Sequence, residues 1–527
     1  MNVYDYLLDG APPDSPALLT LAAQYSYGEL REEAEKVAAL LVRSGARKGD
    51  RALLLADNGL FWVAAYLGIL RAGLVCVPLP PKIALEDLSY ILAATEPVVA
   101  LADSRCACSL RGASPRLQVI TAALAPCDSS AGASSGNQHP RLEPAMLPRV
   151  DENDLAALMF TSGSTGKPRG VMISHGNIMA NTSSIVEYLS LSASDRIMDV
   201  LPLHYCFGTS LLHTHLRVGG SIVIEPRFIY PELVLQRMRD TECTGFAGVP
   251  SHFQILLRKS SLAQRQLPRL RYIQQAGGQL APAFISELRQ VLPGKQIFIM
   301  YGQTEATARL SFLPPEDLDA KLGSVGKGMP GVSLSVVNEQ GQQVAPGETG
   351  EIMAEGANVG LGYWHDEGET ARTFRNGKLH TGDLARIDED GFIYIVDRAK
   401  DFLKCGGKRL SCRQLENVLL EYPALLEAAV IGEPDELLGE AAAAYVVARD
   451  PQSAPSPDEL KSHCRKRLPP QFIPKQILFV PSLPKNGSGK VLKSVLKAHH
   501  MPAIGATLRQ KAPQATLTTA SPSIDRA

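Results

Sequence analysis

Residues 27–45, "YGELREEAEKVAALLVRSG", repeat apolar positions every three or four residues, with acidic residues early and Gly45 at the end. That spacing predicts an amphipathic helix. The following "RALLLA" is short and continuously apolar, as a buried strand would be. Residues 60–72 then predict a helix and "GLVCVPL" another strand, an alternation that points to parallel α/β layers. The apolar run 60–79 is interrupted by Arg71 and Gly73 and ends in a strand-like segment, so a membrane span is not expected. Residues 111–150 are rich in Ala, Ser, Pro and Gly without periodicity and predict a loose excursion. Strand and helix signals resume from 155 to about 310. From 322, "GSVGKGMPGVSLSVVNEQGQQVAPGETGEIMAEG" predicts short strands between glycine turns, as in a small barrel or sandwich. Beyond "GFIYIVDRAK", residues 401–500 predict a separate α+β unit, with a helix near 413–421 and strands near 427–432 and 443–448.

The expected fold is therefore α/β: a large N-terminal domain, 1–398, of layered α/β subdomains plus a small β-barrel. A small α+β C-terminal domain, 399–500, follows, and then a tail, 501–527, with no buriable pattern and an expectation of disorder. At 527 residues the chain is too long for one hydrophobic core. Its net charge of −1 gives no bulk attraction to nucleic acid or an anionic membrane, and neither partner is expected. The nine cysteines include no C-x-x-C pair and no accompanying histidine cluster, which argues for reduced thiols in a cytoplasmic protein rather than a zinc site. "MNVYDYLLDG" lacks the basic-then-apolar order of a signal peptide.

One stretch carries chemistry on its face. "TSGSTGKPRG", residues 161–170, combines glycines, hydroxyls and a lysine, and can turn N–H groups and hydroxyls toward a polyphosphate. It is not a Walker loop, because only two residues separate Gly163 from Gly166 and Lys167 precedes Pro168. Taken alone, it also fits a flexible linker. Three further motifs follow in order: "YGQTEATARL" at 301–310, "HTGDLARIDEDGFIYIVDRAKDFLKCGGKRL" at 380–410, and "PKNGSGKVLK" at 484–493.

This ordered set resembles the adenylate-forming superfamily of acyl- and aryl-CoA synthetases, beetle luciferase and the adenylation domains of peptide synthetases, over roughly residues 25–495. The resemblance implies two half-reactions. A carboxylate attacks the α-phosphate of ATP and releases pyrophosphate; a thiol then takes the acyl group and AMP leaves. It implies that Thr161, Ser162, Gly163, Ser164, Thr165, Gly166 and Lys167 embrace the β- and γ-phosphates. Thr304 would bond the α-phosphate and Glu305 would hold Mg²⁺, a hard ion suited to carboxylate oxygen. Tyr301 would stack on adenine, Asp383 would accept the ribose hydroxyls, and Arg398 would reach ribose or phosphate. Gly277 and Gly278 would admit adenine and the acyl group to the backbone, or form a simple turn. Lys490 would offset the repulsion between carboxylate and phosphate. Rotation of the small domain about Lys400 would then replace Lys490 with Lys404, Gly406 and Gly407, lining a tunnel for pantetheine.

For the acyl pocket the candidates are His204, Tyr205 and Phe207, His204 reading equally as a packed aromatic neighbour. Relatives that activate amino acids place Asp after the Phe; Gly208 stands there, which argues against an α-amino acid. Many relatives carry Asn or Gln two residues before the stacking Tyr, where this chain has Ile299. "IVDR" before the hinge is more like the CoA ligases than the peptide synthetases, and the small domain lacks room for the insertion of long-chain acyl-AMP ligases. The expected activity is thus an AMP-forming ligase joining an aliphatic or aromatic acid to CoA. Its nearest alternative loads the phosphopantetheine of an acyl carrier protein, and a non-catalytic nucleotide-binding relative is the reading of another class. No feature calls for a luciferase-like oxygenase.

Overall fold

The computed structural model describes residues 1–121, 147–162, 167–398, 402–405, 408–435, 439–485, 489 and 491–498. Residues 122–146 of the expected excursion, and the tail, lie outside them. Within 111–121, where no pattern is evident, the chain completes the helix Ser104–Ala113 and forms the strand Gln118–Thr121. The latter adds to the edge of a sheet beside Val99–Ala102, a pairing supplied by the neighbour and not by periodicity.

Two large sheets organise the chain. In the nine-stranded sheet, six strands run parallel in the order Gln296–Tyr301, Tyr272–Gln275, Gly245–Gly248, Arg196–Asp199, Ser221–Ile224 and Pro16–Leu19. The six-stranded sheet runs Gln118–Thr121, Val99–Ala102, Arg51–Leu55, Val75–Pro78, Leu155–Ser162 and Pro168–Ser174. Between them lie the helices Tyr27–Arg43, Leu60–Arg71, His175–Leu189 and Cys206–Arg217, which share one core with the facing sides of both sheets. The helix at 27–43 begins as its pattern predicts, with Ser26 and Glu29 forming a reciprocal capping box. It packs closely on Leu60–Arg71 because Gly68 leaves room; a Cβ there would come within 2.6 Å of Val37. Outer helices cover the far faces of both sheets.

Residues 332–398 form the five-stranded antiparallel sheet expected as a barrel or sandwich. The C-terminal unit carries its own five-stranded sheet, with the helix Cys412–Leu420 and strands Leu425–Asp435 and Gly439–Ala448. Ser411 caps that helix and also donates from Oγ to Asp397 Oδ2 at 3.1 Å, tying the unit to the strand Ile393–Arg398. Among the described residues, no helix is long and apolar enough to cross a membrane, and no group of three or more His, Cys, Asp or Glu is placed to hold a metal. The eight described cysteines are free thiols.

Three histidines sit inside the shared core. His213 Nε2 lies 2.9 Å from the Tyr66 hydroxyl, His215 Nε2 lies 2.8 Å from the Tyr272 hydroxyl, and His175 Nδ1 accepts the Val3 N–H at 3.2 Å. Burial pushes their pKa values from 6.5 to about 3, about 4 and about 4 respectively. The native state keeps them neutral, whereas the unfolded chain takes up a proton on each below about pH 6.5. Stability is therefore present above that pH and lost as pH falls toward 4, by up to about 1.4 kcal/mol per pH unit for each histidine. Asp199, pushed up to about 7 by burial, works in the opposite sense with one proton. Denaturant titrations from pH 7.5 to 4.5 should show stability falling below about pH 6.5, with His213→Asn shallower by one proton; a flat profile would contradict this account.

Candidate active site

Four segments converge because they follow the carboxyl ends of adjacent parallel strands, where open α/β sheets bind ligands. They are residues 200–207 after Arg196–Asp199, 249–251 after Gly245–Gly248, 276–278 after Tyr272–Gln275, and 302–309 after Gln296–Tyr301.

The glycine- and hydroxyl-rich stretch is a hairpin connection. Leu155–Ser162 pairs antiparallel with Pro168–Ser174, setting Thr161 opposite Arg169 and Ser162 opposite Pro168. A strand, not a helix, follows Lys167, which removes the Walker geometry on structural grounds. Thr161 is half-buried, and the exposed Lys167 has its Nζ 5.6 Å from the centre of the Tyr90 ring. Gly163, Ser164, Thr165, Gly166 and the Ser162 side chain lie outside the described residues.

The second hairpin strand is crossed by residues 361–364, with Leu361 N–H donating to Met172 O at 2.9 Å and Trp364 N–H to Gly170 O at 2.8 Å. This crossing brings Tyr363 inward, where its hydroxyl donates to Glu305 Oε1 at 2.8 Å while Arg169 lies over its ring. Tyr363 thereby joins the phosphate-loop hairpin to the Thr304–Ala306 turn. Nothing in the motifs singles it out, although an aromatic pair after two glycines in "GLGYW" was a usable signal.

Tyr301 ends its strand and donates through its hydroxyl to Asp383 Oδ2 at 2.7 Å, both residues being buried. Asp383 in turn stands opposite Arg398 in the pairing of Lys378–Ile387 with Ile393–Arg398; the Arg398 side chain is outside the described residues. Ile299 is buried in the outer-face core, so no side-chain amide replaces the missing Asn or Gln there. Thr304 Oγ1 lies 3.5 Å from Cys206 Sγ, which places the Tyr301 and Phe207 segments side by side.

Gly277 has φ of +82°, and a Cβ on it would sit 2.9 Å from Val249 Cγ1, so this turn requires glycine. Gly278 meets Pro250. Gly489, the residue before Lys490, also packs on Val249: its Cβ position lies 3.1 Å from Val249 Cγ2 and from Ser251 Oγ. The "NGSGK" segment of the small unit thus touches the same residue as the "AGG" turn. Lys490 itself, Lys400, Gly406, Gly407 and the Lys404 side chain are outside the described residues. His204 has a buried Nε2 with no partner and a ring 4.7 Å from that of Tyr205; burial lowers its pKa to about 4, so it is neutral at physiological pH. Gly208 packs against the Pro202 carbonyl, and a side chain there would collide with it, so no carboxylate could replace it. Phe207 faces both Gly277 and Arg309, whose guanidinium sits 4.0 Å from its ring centre.

This donor set suits a hard divalent ion bridged by phosphate rather than caged by protein. With Tyr363 on Oε1, Glu305 presents Oε2 as the one carboxylate oxygen on that turn, and Mg²⁺ is commonly held by one or two carboxylates plus substrate phosphates.

Comparison with known proteins gives a consistent result. A family described as "AMP-binding enzyme" matches residues 9–364, and "AMP-binding enzyme C-terminal domain" matches 414–490. A long-chain-fatty-acid–CoA ligase of Salmonella typhimurium is 30% identical over 519 residues, covering 92% of this chain and 91% of that protein. A feruloyl-CoA synthase of Amycolatopsis is 32% identical, covering 92% and 96% respectively. The crystal structure of an anthranilate CoA ligase with anthranoyl-AMP superposes with a TM-score of 0.86 at 27% identity, over 96% of this chain and 98% of that one.

The Tyr363–Glu305 bond is open to test. A hydrogen bond to a charged group contributes about 1.5–3 kcal/mol, so Tyr363→Phe should weaken binding of magnesium–ATP by roughly tenfold or more. Isothermal titration should show this with the melting temperature nearly unchanged; unaltered affinity would reduce Tyr363 to a packing role.

Proposed function

The chain belongs to the AMP-binding enzymes of the adenylate-forming superfamily, and on that premise we propose that it is an AMP-forming acid–thiol ligase. It activates an aliphatic or aromatic carboxylic acid with ATP and passes the acyl group to CoA. The observation that carries this reading is the convergence of Tyr301, Asp383, Thr304 and Glu305 with the Gly277 turn at the strand ends, and with Gly489 pressed against it.

In the first half-reaction the acid's carboxylate oxygen bonds to the α-phosphorus and the bond to pyrophosphate breaks. Thr161, Ser162, Gly163, Ser164, Thr165, Gly166 and Lys167 hold the departing phosphates with backbone N–H groups, hydroxyls and one positive charge. Thr304 donates to the α-phosphate. Glu305 would hold Mg²⁺, which when bound would supply charge neutralisation on the phosphates. Tyr301, fixed by its bond to Asp383, offers a flat face to adenine, and Asp383 and Arg398 bind the ribose side. Lys490 stands between the two anions; Gly489 against Val249 supports a conformation in which its segment reaches them.

In the second half-reaction a thiol adds to the acyl carbonyl, loses its proton, and AMP leaves. Rotation at Lys400 exchanges Lys490 for the Lys404, Gly406 and Gly407 segment, whose glycines leave a slot for pantetheine. Relatives named as CoA ligases over nine-tenths of the chain favour CoA as acceptor over a carrier protein, which would present the same thiol.

Mass spectrometry of products from ATP, Mg²⁺, CoA and a panel of acids tests the reading: an acyl-CoA should appear. Accumulation of acyl-adenylate and AMP without thioester would instead select the carrier protein. Lys490→Ala should depress adenylate formation by about 100-fold or more while leaving thioester formation from pre-made adenylate nearly intact, as separate half-reaction assays would show. Substitution at Gly406 or Gly407 should slow the thioester step alone.

A further inference from the structure

Arg309 is 1% exposed, yet no carboxylate pairs with it among the described residues. Its Nε donates to the Met300 sulfur at 3.4 Å, its guanidinium lies on the Phe207 ring, and its Nη2 has no hydrogen-bond partner. Removing a guanidinium from water costs several kcal/mol. The aromatic face, the thioether sulfur and the nearby Tyr188 hydroxyl are all neutral partners, so no opposite charge meets the guanidinium among the described residues.

A second orphan faces the same space. Gln274 is 0% exposed, and neither Oε1 nor Nε2 has a partner. In the sheet register Gln274 stands between Ala247 and Phe298. Side chains alternate across a strand, so Ile273 enters the outer core while Gln274 shares the inner face with Phe298 and Met300. The Tyr188 ring packs 6.0 Å from that of Phe298, and its hydroxyl bonds the Met300 sulfur at 3.0 Å. Arg309, bonded to Met300 and stacked on Phe207, and Gln274, in register with Phe298, therefore border one inner-face patch, Phe298–Met300–Tyr188, and Phe207 in turn lies against Gly277.

The backbone at Arg309 is over-determined. Asn358 Nδ2 donates to Ala306 O at 3.2 Å and to Arg309 O at 2.8 Å, and Asn181 Nδ2 donates to Arg309 O at 3.2 Å. Thr307 is held at φ +67° with its hydroxyl on Asn358 O. A strained non-glycine residue of this kind persists only where its surroundings impose it. Here the surroundings aim a cation inward.

Resting on the ligase reading above, we propose that the acid carries a second carboxylate at its far end, bound by Arg309 and Gln274 while the near carboxylate is activated. The substrate class is a dicarboxylic acid, joined to the thiol through one end only. The distal carboxylate supplies the missing counter-charge to Nη2 and accepts from the Gln274 amide; an arginine–carboxylate pair is the geometry a guanidinium fork matches best. A plain fatty acid would leave both groups unpaired.

The test measures pyrophosphate release by the full-length enzyme with α,ω-dicarboxylic acids and with monocarboxylic acids of equal chain length, and diacid binding by titration calorimetry. The best diacid should exceed its monoacid in kcat/KM by at least about tenfold. Arg309→Met should abolish that preference by raising the KM of the diacid at least about tenfold more than that of the monoacid, Arg309→Lys should restore part of it, and Gln274→Leu should give a smaller loss. Equal turnover of both series, or equal loss of both in Arg309→Met, would overturn the proposal. Diacid binding that is lost in Arg309→Met, without pyrophosphate release from any acid, would sustain the pocket and reject the ligase reading instead.

Discussion

Tyr301 and Asp383 are far apart in the chain and belong to different sheets, yet a 2.7 Å hydrogen bond joins them in a buried setting. This end of the candidate site depends on that contact. It clamps the last residue of the parallel sheet against the antiparallel sheet of residues 332–398, and everything between them is positioned by the clamp. The turn after Tyr301 carries Thr304 and Glu305, and Glu305 is held from the opposite side by Tyr363. Two phenolic hydroxyls thus hold two carboxylates at the candidate site, Tyr301 on Asp383 and Tyr363 on Glu305. Orienting such groups before the ligand arrives removes reorganisation from the reaction itself.

The same turn shows how a folded chain tolerates unsatisfied polar groups. The core histidines are neutral and each has a hydrogen-bond partner, so their cost emerges only when acid protonates the unfolded chain. Arg309 and Gln274 differ in kind: one is a guanidinium with no carboxylate beside it among the described residues, and the other is a buried amide with neither polar atom paired. Buried polar atoms are nearly always paired, and each exception calls for an explanation such as a bound water, an ion or a ligand. For Arg309 and Gln274 the proposed distal carboxylate is that explanation.

Much of this was legible in the chain. The helix at 27–43, the strand–helix–strand at 51–78, the small sheets after 322 and the separate C-terminal unit follow from local periodicity and turn chemistry, which depend on neighbours in sequence. The strand Gln118–Thr121 did not, because an edge strand receives its pairing from a partner and not from its own pattern. The "TSGSTGKPRG" stretch, "YGQTE" and "TGD" were readable as motifs because each is a run of adjacent residues.

Tyr363, Gln274 and Arg309 were not readable in that way. Each is a single residue whose setting comes from what lies across the fold: Glu305 for Tyr363, and a buried inner face that leaves polar atoms unpaired for the other two. A lone arginine in "ATARL" looks like any surface arginine until its burial is known. The sequence by itself determined the chemistry class and the layered α/β plan, since both reside in local pattern and ordered motifs. Only the tertiary structure decided which polar groups are stripped of water and left unpaired, because desolvation is a property of the whole packed chain and of no segment within it.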